Sequence, residues 1–189
     1  MTGPDKPPDV VASRRVHDGW VGLRVDTLRF ASGREGTIEI VEHPGGVTIL
    51  AFDQNERLLL VRQYRHPAGR ELLELPAGTL EPGETPESCA ERELQEEAGY
   101  RPGRLERLGG FYLAPGYCTE YQHVFLASDL VESRLEGDEE ALYLEPISLD
   151  EALRLVAAGE IEDAKTVGAL LLYLGSRGGT ERRPVQVPL

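Results

Sequence analysis

Apolar residues recur along this chain with two different periods, and the change from one to the other marks its elements. From residue 20 to 28 (Trp-Val-Gly-Leu-Arg-Val-Asp-Thr-Leu) and again over 37–42, apolar and polar positions alternate, which predicts half-buried strands. Residues 46–52 and 57–65 are two further apolar runs joined by Asp53-Gln54-Asn55-Glu56, a turn composition that predicts a hairpin of antiparallel neighbours. The pattern then becomes helical. Thr85 reads as an N-cap, Pro86 as the first helical residue, Glu87 as a charge favoured by the helix dipole, and Gly99 as the stop, so a helix is predicted over 86–98. Strand patterns return over 105–113, 121–127 and 141–147. Ser148 with Glu151 forms a capping box opening a helix that ends near Gly159, and residues 161–174 form a last helix stopped by Gly175. Mixed strands with separated helices predict an α/β sandwich.

A length of 189 residues accommodates one well-buried domain and a small accessory element. Residues 1–10, with Pro4, Pro7 and Pro8, are expected to form a disordered lead. Residues 11–43 form the N-terminal β element, 44–175 the main domain, and 176–189, with Gly178, Gly179 and Pro184, a flexible tail. Thirty-three acidic residues against 20 basic ones give a formal net charge of -13, which repels a phosphate backbone and argues against a nucleic-acid partner. An acidic protein still accepts a small phosphorylated molecule when divalent cations neutralise both partners. Cys89 and Cys118 lack CxxC spacing, so neither a zinc site nor a disulfide is expected; reduced thiols in a cytoplasm are. No segment has the apolar length of a membrane span or a signal peptide, so a soluble protein without a membrane partner is expected. His17, His43, His66 and His123 are scattered without metal-ligand spacing.

Candidate chemistry lies on the first helix, in Arg92-Glu93-Leu94-Gln95-Glu96-Glu97. Helical spacing puts Glu93, Glu96 and Glu97 on one face, where like charges repel unless solvent, a basic residue such as Arg92, or a bound divalent metal compensates. Spacing alone leaves an ordinary solvated acidic face open as well. The surrounding pattern goes further: Gly78, five residues, Glu84, seven residues, Arg92-Glu93, then Glu96-Glu97 and Gly99-Tyr100. This resembles the Nudix box along its whole length, residues 78–100, and a chance match at its fixed positions is of order ~10⁻⁸ per window. Tyr100 departs from the family, which has an aliphatic residue there.

That resemblance implies a fold, an α/β/α sandwich with a mixed sheet plus a small N-terminal antiparallel β element, together with a chemistry and a set of residues. Glu93, Glu96 and Glu97, with the carbonyl of Ala77 and with Glu84 as metal support or loop structure, would hold two or more Mg²⁺ or Mn²⁺ ions on the diphosphate of a nucleoside substrate. Arg92 would orient the box glutamates, and Gly78 would permit a tight turn where a side chain would obstruct the site. Weaker motifs resemble the ADP-ribose pyrophosphatase branch: residues 38–44, Val61-Arg62-Gln63-Tyr64-Arg65, Leu73-Glu74-Leu75-Pro76-Ala77-Gly78, and Ala114-Pro115-Gly116-Tyr117. By that resemblance Arg65, Glu74, Gly116, Glu120 and Trp20 contact substrate. A catalytic glutamate outside the box falls on Glu140, with Glu139 as the alternate, and residues 11–43 join two subunits of a homodimer. The implied reaction is hydrolysis of ADP-ribose to AMP and ribose 5-phosphate. Hydrolysis of another nucleoside diphosphate sugar or a dinucleotide, and non-catalytic sensing of ADP-ribose, are the competing expectations.

Overall fold

The structure is a computed structural model and describes residues 6–135 and 142–177. The chain forms two compact units, one from the described residues up to Gly45 with Tyr112–Glu120, the other from Gly46–Phe111 and the described residues from Tyr121 onward.

The first unit is built on strands β1 (Asp9–Asp18), β2 (Gly22–Arg29) and β3 (Glu35–Glu42), an antiparallel sheet in the order β1-β2-β3. β2 and β3 lie where the alternating patterns predict them. β1 begins at Asp9, inside the segment expected to be disordered, and every one of its residues is exposed. It has no buried face for a hydrophobic period to report; its strand conformation comes from pairing with β2. Within this sheet the buried residue is Asp26, whose carboxylate accepts from Ser13 Oγ at 2.6 Å and Arg24 Nε at 3.1 Å. The 112–120 segment returns beside β3: Val41 N–H donates to the Tyr117 carbonyl at 2.8 Å, and Thr119 N–H to the Val41 carbonyl at 3.0 Å.

The second unit carries β4 (Gly46–Ala51), β5 (Arg57–Arg65), β6 (Arg70–Glu74), β7 (Ala77–Thr79), helix α1 (Pro86–Glu93), β8 (Tyr100–Arg101), β9 (Arg104–Tyr112), β10 (Tyr121–Ser128), β11 (Val131–Glu132), β12 (Leu142–Ser148), α2 (Leu149–Ala158) and α3 (Ala164–Arg177). One sheet runs β7-β4-β10-β9, with β4 parallel to β10 and antiparallel to β7. A second, antiparallel sheet runs β12-β5-β6, and β8 pairs with β11. The predicted hairpin between β4 and β5 does not form. Asp53–Glu56 makes its turn, with Asp53 N–H on the Arg57 carbonyl at 2.9 Å, but past the single bridge of Phe52 to Leu58 the strands enter different sheets. β4 is buried throughout and β5 from Leu58 to Val61, and each takes strand partners on both edges, so neither is the edge strand a simple hairpin would leave.

Alternation along these strands divides the core. Val47, Ile49 and Ala51 of β4, Leu59 of β5, and Phe125 and Ala127 of β10 pack with Cys89, Ala90, Leu94 and Ala98. Leu50, Leu58, Leu60 and Val124, one residue out of step, pack with Ala152 of α2 and Ala169 and Leu170 of α3. Sheets between a layer with α1 and a layer with α2 and α3 are the predicted α/β/α sandwich. Among the described residues no helix is long and apolar enough to cross a membrane.

Candidate active site

Local chemistry starts α1 where the sequence predicts. Thr85 Oγ1 accepts from the Ser88 N–H at 3.2 Å and Ser88 Oγ accepts from the Thr85 N–H at 3.1 Å, a reciprocal cap with Pro86 at the first helical position. The far half departs from prediction. α-Helical geometry ends at Glu93, and Leu94–Ala98 form a π-helical turn closed by Gly99, whose φ of 78° is left-handed. The Gly99 N–H reaches both the Leu94 and Gln95 carbonyls. The Gln95 carbonyl also accepts from Leu135 N–H at 3.4 Å, and the Gly99 carbonyl from Ser133 N–H at 2.9 Å. Wider turns of this kind concentrate at functional positions, and here the turn carries Glu96 and Glu97.

Arg92 organises the carboxylates. Its Nε and Nη2 each donate to Glu84 at 3.0 Å, while Nη1 donates to Glu93 Oε1 at 2.7 Å and Glu96 Oε2 at 3.2 Å. The Glu84 hydrogen bond foremost, and Glu93 after it, hold the Arg92 proton more firmly than usual, and Arg92 in turn keeps Glu84 below the ordinary glutamate range. Glu84 also accepts from the Glu81 N–H at 3.0 Å, which closes the loop before the helix.

Glu97 and Glu93 meet strand β7. Glu97, 6% exposed, accepts the Ala77 N–H on Oε2 at 2.9 Å. A Cβ on Gly78 would fall 1.9 Å from Cδ and Oε1 of Glu93. Gly78 was expected to serve a tight turn; it lies instead within β7, outside the left-handed region, and its missing side chain makes room for a carboxylate.

Arg65, at the end of β5, makes a two-pronged ion pair with Glu74, from Nε to Oε1 at 2.8 Å and from Nη2 to Oε2 at 2.7 Å. Glu74 is 1% exposed and also receives Lys165 Nζ at 3.2 Å. Lys165, Asp163 and Thr166, at the start of α3, escaped the sequence reading because the helix was drawn from residue 161. The signal was available: Asp163 caps the helix, its Oδ2 accepting from the N–H of Thr166, three residues on, at 2.9 Å.

The structure thus brings Ala77, Glu84, Glu93, Glu96 and Glu97 together around Arg92 and β7, and pairs Arg65 with Glu74. Trp20, Gly116 and Glu120 belong to the first unit. Trp20 is 72% exposed and meets His43 edge-on with ring centroids 5.2 Å apart. Gly116 lies in the turn that Ala114 closes by accepting from Tyr117 at 3.1 Å and Cys118 at 2.8 Å, and the Glu120 carbonyl accepts from Leu113 N–H at 3.2 Å. Glu139 and Glu140 lie outside the described residues.

A profile of the NUDIX domain matches residues 42–169, about two thirds of the chain and the whole of the carboxylate site. The chain belongs to the NUDIX domain family. An ADP-ribose pyrophosphatase of Bacillus subtilis is 40% identical over 164 residues, covering 85% of this chain and 89% of that protein. A methanol dehydrogenase activator of Bacillus methanolicus is 38% identical over 154 residues, 79% of this chain and 83% of its own. A GDP-mannose pyrophosphatase of Klebsiella pneumoniae is 32% identical over 184 residues, 89% and 92% of the two chains. Among solved structures, that of an ADP compounds hydrolase superposes with a TM-score of 0.84 at 25% identity, over 94% of this chain and 98% of that one.

NUDIX enzymes generally need divalent metal ions, and these donors fit them. Carboxylate oxygens and a backbone carbonyl are hard ligands. Glu93 and Glu96 converge on one guanidinium nitrogen, and the Glu93 carboxylate rests in the space beside β7 that a Cβ on Gly78 would take. Among the described residues no three acidic, His or Cys side chains form a ready ligand cage, since Arg92 lies among Glu84, Glu93 and Glu96.

Proposed function

We propose that this NUDIX protein hydrolyses the diphosphate of ADP-ribose to AMP and ribose 5-phosphate. The observation that carries the reading is the convergence of Glu93, Glu96 and Glu97 on β7 and Arg92, in a chain 40% identical to an ADP-ribose pyrophosphatase. Two or more Mg²⁺ or Mn²⁺ ions on the three glutamates and the Ala77 carbonyl would neutralise the diphosphate and make water a better nucleophile at neutral pH.

The chain's own groups do the rest. Arg92 preassembles the carboxylates at low repulsion and yields Glu93 and Glu96 to a cation while keeping its two bonds to Glu84. Gly78 fixes where the Glu93 carboxylate rests. Arg65, with 36% of its side chain exposed, binds substrate phosphate, for which a guanidinium is suited. Glu140, or Glu139 beside it, takes the proton of the attacking water. Gly116, Glu120 and the exposed Trp20 supply contacts for the substrate's sugar and base.

A homodimer is part of this proposal. A sheet whose outer strand β1 is exposed throughout, bearing Val10, Val11 and Val16, buries too little apolar surface by itself, and a second copy supplies the missing cover. The protein is proposed to act in the cytoplasm.

The GDP-mannose pyrophosphatase relative favours one alternative, the same chemistry on another nucleoside diphosphate sugar. The test is turnover of ADP-ribose, GDP-mannose, ADP-glucose and NADH, with and without Mg²⁺ or Mn²⁺, products being resolved by chromatography. Metal-dependent AMP from ADP-ribose, well ahead of the others, is expected. Preference for GDP-mannose would transfer the assignment to that substrate, and binding of ADP-ribose without any turnover would replace it by a sensor.

A further inference from the structure

We propose that Lys165, on the first turn of α3, is a positioning residue for Arg65 and acts through the buried carboxylate of Glu74. The inference rests on the reading of Arg65 as a substrate-phosphate ligand.

Glu74 is 1% exposed and both its oxygens are engaged, so its carboxylate offers little open surface for the substrate contact expected from sequence. Burying a carboxylate costs free energy unless cations and hydrogen bonds replace its water. Two cations do so from different elements: Arg65 across both oxygens, and Lys165 Nζ on Oε2 at 3.2 Å. Lys165 is itself held by Asp163 Oδ1 at 2.6 Å. The other oxygen of Asp163 accepts from the Thr166 hydroxyl at 2.7 Å, and that hydroxyl accepts the Leu75 N–H at 2.8 Å. The first turn of α3 therefore grips residues 74 and 75 twice, once by charge at Glu74 and once by a backbone bond at Leu75.

The two ends of the relay differ in exposure. Lys165, Asp163 and Glu74 have side chains 16%, 8% and 1% exposed, whereas Arg65 keeps 36%. The buried groups set the plane of the Glu74 carboxylate, and the two-pronged pair transmits that plane to the guanidinium. Without Lys165, Arg65 is the one cation left on the carboxylate among the described residues, so the carboxylate follows that side chain rather than fixing it, and Asp163 loses the Lys165 charge. Neither Lys165 nor Asp163 touches substrate in this scheme; they set the direction from which Arg65 meets it.

The experiment compares Lys165→Met, Lys165→Arg and Arg65→Lys in the full chain, using ADP-ribose kinetics, thermal melting, and the Arg65 Nε–Hε resonance in ¹⁵N NMR without substrate. Lys165→Met is expected to raise KM about tenfold with kcat within about twofold, the size of coupling between groups in one network, and to move the Arg65 resonance. Lys165→Arg should restore both. A merely structural role would lower the folded fraction and hence apparent kcat, with KM and the resonance unchanged in the folded molecules; that result overturns the proposal. If Arg65→Lys raises KM and Lys165→Met does not, positioning by Lys165 fails while the role of Arg65 stands. If Arg65→Lys leaves KM unaltered, the reading of Arg65 fails and takes this proposal with it.

Discussion

Replacing Gly78 by alanine should separate activity from stability. The added Cβ falls 1.9 Å from Cδ and Oε1 of Glu93 and 2.4 Å from Oε2, against a comfortable separation of about 3.5 Å. The carboxylate must therefore retreat by roughly 1.5 Å. Gly78 lies outside the left-handed region, so alanine adds no backbone strain. What yields is the far end of a flexible side chain, so the fold should lose about 1 kcal/mol, or roughly 2–4 °C in Tm. Catalysis should lose far more. A misplacement of about 1 Å at a reacting centre costs on the order of 10²-fold, equivalent to about 2.7 kcal/mol. The assay is kcat/KM for ADP-ribose at saturating Mg²⁺, beside a thermal melt of the same preparation. Adding Glu93→Asp to Gly78→Ala withdraws the carboxylate by one methylene and should recover part of the loss. Activity within about threefold of the parent, at unchanged Tm, would refute the claim that Gly78 serves to place Glu93.

Glu97→Gln keeps an oxygen for the Ala77 N–H, so the fold should survive while the loss of a charged metal ligand lowers kcat by more than the ~10–100-fold typical of outer-shell groups. Unimpaired turnover would remove Glu97 from the metal site. For Asp163, burial raises the carboxyl pKa, but the Lys165 charge and bonds from Lys165 and Thr166 outweigh it and hold the group below the ordinary aspartate range. A depressed folded pKa gives stability that is present above the unfolded value of about 3.9 and is lost as pH falls through the folded one. Asp163→Asn should therefore melt several degrees lower at pH 7, with the gap closing below about pH 4; a gap that stays constant to pH 3 would exclude that linkage.

Much of the site was legible because its signals are local. Thr85, Pro86 and Gly99 act within a turn of their own positions, so the ends of the helical segment were found where predicted. The spacing of Gly78, Glu84, Arg92, Glu93, Glu96 and Glu97 marked the chemistry before any coordinates did. Local signals were silent about partners distant in sequence. The Asp53–Glu56 turn was read correctly as a turn and wrongly as a hairpin, because pairing of β4 with β10 and of β5 with β12 depends on residues more than 70 positions away. β1 was missed because an exposed strand has no hydrophobic period. Lys165 carried no local signal of a role; the fold sets it against Glu74, 91 residues away in sequence.

The sequence by itself determined the helices, the longer strands with a buried face and the family of chemistry, since helix caps, side-chain alternation and motif spacing are properties of a few consecutive residues. The tertiary structure decided which strands pair, why Gly78 lacks a side chain, that the box helix widens into a π turn, and that Arg65 is backed by a buried acid and a distant lysine. Those features arise where the burial of one segment removes water from another. A carboxylate such as Glu74 then needs partners that only the folded chain brings within hydrogen-bond reach.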